Sequence, residues 1–230
     1  MENSLKQKLY KLFCVSPLFG FPLLFAAFVG LYKYDQWRYV TILREDGLVE
    51  YTTVGLLVVA AILSLVITAK IRKDRKYYHW FFIAFFAFCL LGALEEMSWG
   101  QRVVGVDSPE FFVEHSDQLE VNVHNVFQKW TGLKTKHIAA IVLLLYGACL
   151  PVLVSFNPRA RRFFERVRFV VPSPTLSVGF LLGTILMLDK PTGWEEEIGE
   201  FFYSLCFVLF MMMQIGQLNQ RITGAGSHGG

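Results

Sequence analysis

Long apolar runs alternate with short charged connections along this chain. Six runs stand out, at roughly 16–34, 48–69, 77–96, 137–156, 174–189 and 198–217. A bilayer core takes about 20 apolar residues of helix, with a usual range of roughly 17 to 25. The pattern therefore predicts an all-α fold, a polytopic membrane helical bundle of about six transmembrane helices. The fifth run, PTLSVGFLLGTILMLD, is short. At about 1.5 Å per residue it barely crosses, so its outer end would lie below the headgroups or under a locally thinned bilayer. Ser16-Pro17, Ser108-Pro109 and Ser173-Pro174 mark helix starts, because serine caps free N–H groups and proline fits the first helical position. The middle pair opens PEFFVEHSDQL inside the 97–136 loop, which reads as a short interfacial helix. Residues 1–222 form one transmembrane domain, and 223–230 read as a flexible tail.

Composition agrees with that picture. The chain has 230 residues, of which 54% are hydrophobic, and its mean hydropathy is +0.43, too apolar for an ordinary soluble domain. The formal charge of +3 is small, so its distribution matters more than its size. Lys6, Lys8 and Lys11, the loop KIRKDRK, the loop NPRARRFFERVRF and Arg221 all fall on one side of a six-span arrangement. The positive-inside rule makes that side cytoplasmic, with both termini there and the chain in the cell's inner (cytoplasmic) membrane. Lys33, Arg38, Arg44, Arg102, Lys129, Lys134, Lys136 and Lys190 fall on the other side, more dispersed and among most of the acids. The N-terminus resembles a signal peptide without a convincing cleavage site, so it reads as an uncleaved anchor. No basic patch is interleaved with aromatics away from the membrane segments, so nucleic acid is not an expected partner. Cys14, Cys89, Cys149 and Cys206 fall in or beside different apolar runs with no CxxC pair, and read as small buried hydrophobes.

The charge pattern sends four acidic motifs to the outer face: REDGLVEY, LEEMSWGQR, EVNVHN and GWEEEIGEF. Glu195 follows Thr192 by three, a capping-box spacing with a structural meaning. Glu45, Asp46 and Glu196 sit in first turns, where the helix dipole favours anions. Asp46 and Glu50 are four apart, as are Glu196 and Glu200, so each pair is expected on one helical stripe. Glu50 and Glu200 lie deeper, where repulsion favours protonation or a bound cation. Glu95 and Glu96 close a long apolar run, at the end of a helix where the dipole disfavours anions. A proton, Arg102 or a metal ion could each offset them. Glu120 and His124 are four apart, so they share a face if that stretch is helical, and Asn122 and Asn125 are placed to orient the ring or touch substrate.

Together Glu50, Glu95, Glu96, Glu120, His124 and Glu200 form a candidate metal set. Carboxylates with one imidazole suit a divalent metal such as Mg²⁺, Mn²⁺, Fe²⁺ or Zn²⁺. There is no HExxH motif, no GxSxG elbow around Ser98 and no Gly-rich phosphate loop. The glutamate pair followed by an arginine is similar to intramembrane glutamic proteases of the CAAX-processing type. Here, however, the arginine comes six residues after Glu96 rather than four, and the later helical histidine motifs are missing, so that family is not adopted. EEMSWGQRVVGVDSPEFF followed by NVHN resembles a segment of uncharacterised bacterial polytopic membrane proteins that share EE-x-SWGQR, PEFF and NxHN. The resemblance covers residues 95–125 and, more loosely, REDGLVEY. It implies that these polar positions act as a unit, and it implies no activity.

Three functions fit. The first is an enzyme acting on a membrane lipid or lipid-linked substrate, a metal-dependent hydrolase or transferase. Glu96 and Glu200 would hold metal or act as general base, and His124 would be ligand or acid–base partner. Gln101, Arg102, Trp99 and Asn125 would bind substrate, with the first two on a phosphate or sugar headgroup. Trp99, Trp130 and Trp194 would mark the interface. The second is a cation- or proton-coupled transporter using Glu50 and Glu200. The third is a non-catalytic membrane module whose acids tie the outer loop to the bundle.

Overall fold

The computed structural model describes the backbone of residues 2–116 and 121–225, and the side chains of residues 7–74, 76–101, 104–116, 121–123 and 126–220. Among the described residues the fold is all-α with no strand. Helix α1 (Glu2–Val15) breaks at Ser16 into α2 (Pro17–Tyr34). The short α3 (Gln36–Leu43) follows, its N-terminus capped by the Asp35 side chain, which accepts from the Arg38 N–H. The 28-residue α4 (Leu48–Arg75) and α5 (Trp80–Glu96) run back to back. The connecting region then carries α6 (Gln101–Val104), α7 (Glu110–His115) and α8 (Val123–Thr131). Helix α9 (Thr135–Leu144) continues through a π turn at Leu145–Cys149 into α10 (Leu150–Phe156). The amphipathic α11 (Pro158–Arg166) precedes α12 (Ser177–Leu186), and α13 (Glu195–Ala225) closes the described chain.

Four stretches are long and apolar enough to cross a membrane by length and composition: Pro17–Tyr34, Leu48–Asp74, Thr135–Phe156 and Glu195–Gln220. Two of the six expected runs fall short of that measure. Helix α5 has 17 residues, and the fifth run folds as a 3₁₀ turn at Pro174–Leu176 leading into the 10-residue α12. The serines of the three Ser-Pro pairs act differently from one another. Ser173 caps, accepting from the Thr175 N–H, whereas the Ser16 hydroxyl donates back to the Phe13 carbonyl and Ser108 accepts from Gln101. The short helix expected after Ser108-Pro109 is present as α7, with an exposed Phe111; residues 117–119 of the expected stretch lie outside the described residues. Helix α13 extends through Ala225, so residues 223–225 of the expected tail are helical; residues 226–230 lie outside the described residues.

Helix α13 is the axis of the bundle. In its apolar window 61% of residues are buried, against 11% in α2, so α2 stands at the periphery. Helix α13 packs along α4 on one side and α12 on the other, and α4 packs along α5. Ala60 and Ala61 keep α4 thin, and the Ser64 hydroxyl donates across to the Phe82 carbonyl of α5 at 2.6 Å. An aromatic seam of Phe81, Phe85, Phe207 and Phe210 fills the space between α5 and α13, mostly edge to face, the arrangement that ring quadrupoles favour. Helices α12 and α13 cross at Gly183 and Gly199. A Cβ on Gly199 would lie 2.9 Å from the Gly183 carbonyl oxygen and 2.9 Å from Met187 Sδ.

The bundle has a basic end and an acidic end. At the first, Tyr10 donates to the Met213 carbonyl, Lys70 to Asn219, and Trp80 to the Val167 carbonyl. Arg168 lies over the Tyr77 ring. These contacts bring α1, the end of α4, the start of α5, the end of α11 and the end of α13 together. At the other end the starts of α4, α9 and α13 meet the end of α5.

Gly199→Ala is expected to lower stability by about 1–3 kcal/mol through overpacking at the α12–α13 crossing. Gly55, which has open space around the position of a Cβ, is the comparison: Gly55→Ala is expected to be neutral or stabilising by up to about 1 kcal/mol. Thermal unfolding of the two purified variants in detergent measures the difference.

Candidate functional site

Where α5 ends, the chain turns through three consecutive residues with positive φ: Ser98 (47°), Trp99 (55°) and Gly100 (81°). Such φ values are costly for residues with a Cβ, and side-chain bonds hold the turn. Trp99 Nε1 donates to Glu95 Oε1 at 2.7 Å. The same oxygen accepts from the Val123 N–H at 3.3 Å, a free donor in the first turn of α8. The Ser98 hydroxyl donates to the Asn122 amide oxygen at 3.2 Å, and the Asn122 amide nitrogen donates to the Glu95 carbonyl at 2.9 Å. Gln101 bridges the loop: its Nε2 donates to Ser108 Oγ at 2.6 Å and its Oε1 accepts from the Val121 N–H at 2.9 Å. Thus Glu95, Trp99 and Gln101 each have a partner within the loop, and Glu95 is supplied with neutral donors rather than only a cation.

Glu195 is built in a similar way. Its carboxylate accepts from Thr192 Oγ1 (2.7 Å), the Thr192 N–H (3.0 Å), the Gly193 N–H (3.0 Å) and the Tyr39 hydroxyl (3.0 Å). The Thr192–Glu195 pair expected from the spacing does meet, but α13 starts at Glu195 and the Thr192 hydroxyl donates to the carboxylate, so the pair closes the turn before the helix instead of forming a capping box; Tyr39, from α3, adds a donor that no local pattern announces. Burial, helped by the bond to Glu195, holds the Tyr39 phenol well above the ordinary tyrosine range. The folded state keeps that proton more tightly than the unfolded chain. The contribution is therefore complete below the unfolded tyrosine pKa of about 10 and lost as pH rises through the folded value.

Beside these ties the acidic end opens into a cavity of about 450 Å³. Seven glutamates line it: Glu45, Glu50, Glu95, Glu96, Glu196, Glu197 and Glu200. Lys134, Lys136, Asn122, Gln128, Thr53, Tyr203 and Ser204 also face it, and Leu57, Phe88, Leu143 and Phe207 form its floor. Phe207 lies eleven residues along α13 from Glu196, about 16 Å at the helical rise, so the cavity reaches well into the bundle and ends on apolar side chains. Glu50 is buried, and its Oε2 accepts from the Asp46 N–H at 2.6 Å. Glu200, one turn beyond Glu196, is half-buried and faces the cavity, as Glu96 does from the end of α5. Lys136 Nζ pairs with Glu196 and, at 3.2 Å, with Asp189.

Several expectations are met in part. Glu196 and Glu200 share a stripe of α13 as their spacing requires. Asp46 does not share one with Glu50: it has a positive φ of 59° and precedes α4, which starts at Leu48, so its backbone N–H meets the Glu50 carboxylate instead of its side chain repelling it. Glu50, Glu95, Glu96 and Glu200 line the cavity together, while Trp99 and Gln101 support the loop at its edge. Glu120 lies outside the described residues. The side chains of Arg102, His124 and Asn125 also lie outside the described set, although α8 carries the backbone of His124 and Asn125 between the cavity-lining Asn122 and Gln128. Among the described residues no three His, Cys, Asp or Glu side chains are grouped to hold a metal ion. Thr53 and Lys136 were not singled out from the sequence. Lys136 carried a signal all the same: a cation in the first turn of a helix stands against the dipole, the mirror image of Glu95 and Glu96.

No family model, no curated protein and no solved structure matches the chain.

Tyr39→Phe is expected to cost about 1 kcal/mol, since Glu195 keeps its other donors, and Glu195→Ala about 2–4 kcal/mol, since several buried donors lose their acceptor. Thermal unfolding of both variants at neutral pH orders them.

Proposed function

We propose that this protein is a multi-pass membrane enzyme that takes a lipid or lipid-linked substrate into the acid-lined cavity and works on it by proton transfer through Glu96 and Glu200. The observation that carries the reading is that Glu96, from the end of α5, and Glu200, from α13, face one cavity whose other lining residues include both polar and apolar side chains. Two neighbouring carboxyls withdrawn from bulk water do not both ionise readily, so such a pair offers one acid and one base at the same place. The ionised member would take a proton from the attacking nucleophile, and the protonated member would give one to the leaving atom. The apolar floor suits a hydrocarbon chain, and a volume of about 450 Å³ is within the usual range for small-molecule sites.

In this reading α5 and α12 also cross the membrane, making six spans. At roughly 1.5 Å per residue α5 covers about 25 Å, close to the hydrocarbon thickness. The basic end, with Lys70, Arg72, Lys73 and the arginines of α11, lies in the cytoplasm under the positive-inside rule. The cavity mouth then faces the opposite side of the inner membrane. The transporter reading needs a continuous polar route, whereas the lining residues farthest along the helices from the acidic end, Leu57, Phe88, Leu143 and Phe207, are apolar.

The test is mass-spectrometric comparison of lipids in proteoliposomes made from total membrane lipid and containing wild type, Glu96→Gln or Glu200→Gln. A species consumed by wild type and left about 10²–10⁴-fold more slowly converted by either variant is expected. Equal consumption by all three, with unchanged thermal stability, would contradict the assignment.

A further inference from the structure

Among the described residues seven glutamates face the cavity against two lysines, Lys134 and Lys136. Both lysines stand at the start of α9, at the mouth, and Lys136 serves Glu196 and Asp189. Further in along their helices lie Glu50 and Thr53 on α4 and Glu200 on α13. Carboxylates withdrawn from water, as the buried Glu50 is, favour a cationic guest.

Thr53 supplies an independent pointer. Its side chain is buried to 2% exposure, faces the cavity, and its Oγ1 has no hydrogen-bond partner in the protein. Other helical threonines do not behave this way. Thr41, Thr52, Thr68, Thr131 and Thr184 each donate to the carbonyl four residues earlier. A buried hydroxyl without a protein partner is costly unless something in the cavity pairs with it, and Thr53 lies on the same α4 stripe as Glu50 and Leu57, between an acidic group and an apolar one.

We propose that the cavity binds a membrane-borne primary amine, with its ammonium group among Glu50, Glu200 and the Thr53 hydroxyl and its hydrocarbon chain on Leu57, Phe88, Leu143 and Phe207. An ammonium has three divergent N–H donors and can reach separated acceptors, which suits acidic groups that are not gathered into a three-ligand metal set among the described residues. The inference deepens the enzyme reading by naming its substrate class, and it rests on that reading for turnover but not for binding.

The experiment is isothermal titration of the full chain in nanodiscs of uncharged lipid, with empty nanodiscs as blank and hexylamine as the probe. Hexanol and hexanoate are the controls, and manganese chloride is titrated in parallel. Saturable 1:1 binding of hexylamine is expected, about tenfold or more tighter than either control, because only the amine donates charge-assisted bonds to the carboxylates. Glu200→Gln is expected to weaken it about tenfold and the near-isosteric Thr53→Val by about three- to tenfold. Thr53→Val keeps the packing volume, and its melting temperature verifies the fold. Hexylamine binding absent, or unchanged in both variants, overturns the proposal, as does stoichiometric Mn²⁺ binding that hexylamine does not displace. If hexylamine fails to bind while lipid turnover still depends on Glu96 and Glu200, the substrate class falls and the enzyme reading stands. If it binds as expected with no lipid turnover, the amine site stands and the enzyme reading falls.

Discussion

Carboxylates enclosed among apolar helices must be given donors, cations or protons, and the meeting of α4, α5, α9 and α13 is organised around that requirement. Each acidic group meets it differently. Glu195 collects two backbone N–H groups and the hydroxyls of Thr192 and Tyr39. Glu95 takes the Trp99 ring N–H and the first turn of α8. Glu50 takes the Asp46 N–H, Glu196 takes Lys136, and Glu200 faces the same cavity as Glu96. The first two solutions are structural: they fasten α3 to α13 and the strained Ser98–Gly100 turn to α8. The last brings two acids to one cavity.

The packing of the bundle makes that cavity possible. Small residues let the helices approach, at Ala60 and Ala61 of α4 and at the Gly183–Gly199 crossing. The phenylalanine seam fills the space between α5 and α13. The cavity ends where the seam begins, since Phe88 and Phe207 belong to both. Its depth is thus set by aromatic packing and its mouth by charge. The two ends of the bundle differ in the same sense, with lysines and arginines at one and glutamates at the other.

Much of this was legible in the order of residues. Apolar runs announced the helices, the three-residue spacing announced the meeting of Thr192 with Glu195, and the wrong-end dipole placed Glu95 and Glu96 under a constraint that had to be met. Asp46 and Glu50 were misread as a stripe because a turn with positive φ at Asp46 delays the start of α4. Spacing alone cannot show where a helix begins. Tyr39 and Lys136 reach Glu195 and Glu196 from 156 and 60 residues away, and no local pattern encodes such a meeting. Thr53 was invisible for another reason: a threonine in an apolar helix ordinarily bonds its own backbone, and only the fold reveals one that does not.

The central claim is a dead-end, anionic cavity open at the acidic end of the bundle. Cysteine accessibility tests it most directly. Ser204→Cys, made in a chain whose four native cysteines are replaced by alanine, places a thiol on the wall beside Glu200. The account predicts modification by membrane-impermeant thiosulfonates from the side that the acidic end faces and not from the other, with a trimethylammonium reagent reacting faster than a sulfonate one. Modification from the side of the basic end, or faster reaction with the sulfonate, would contradict it.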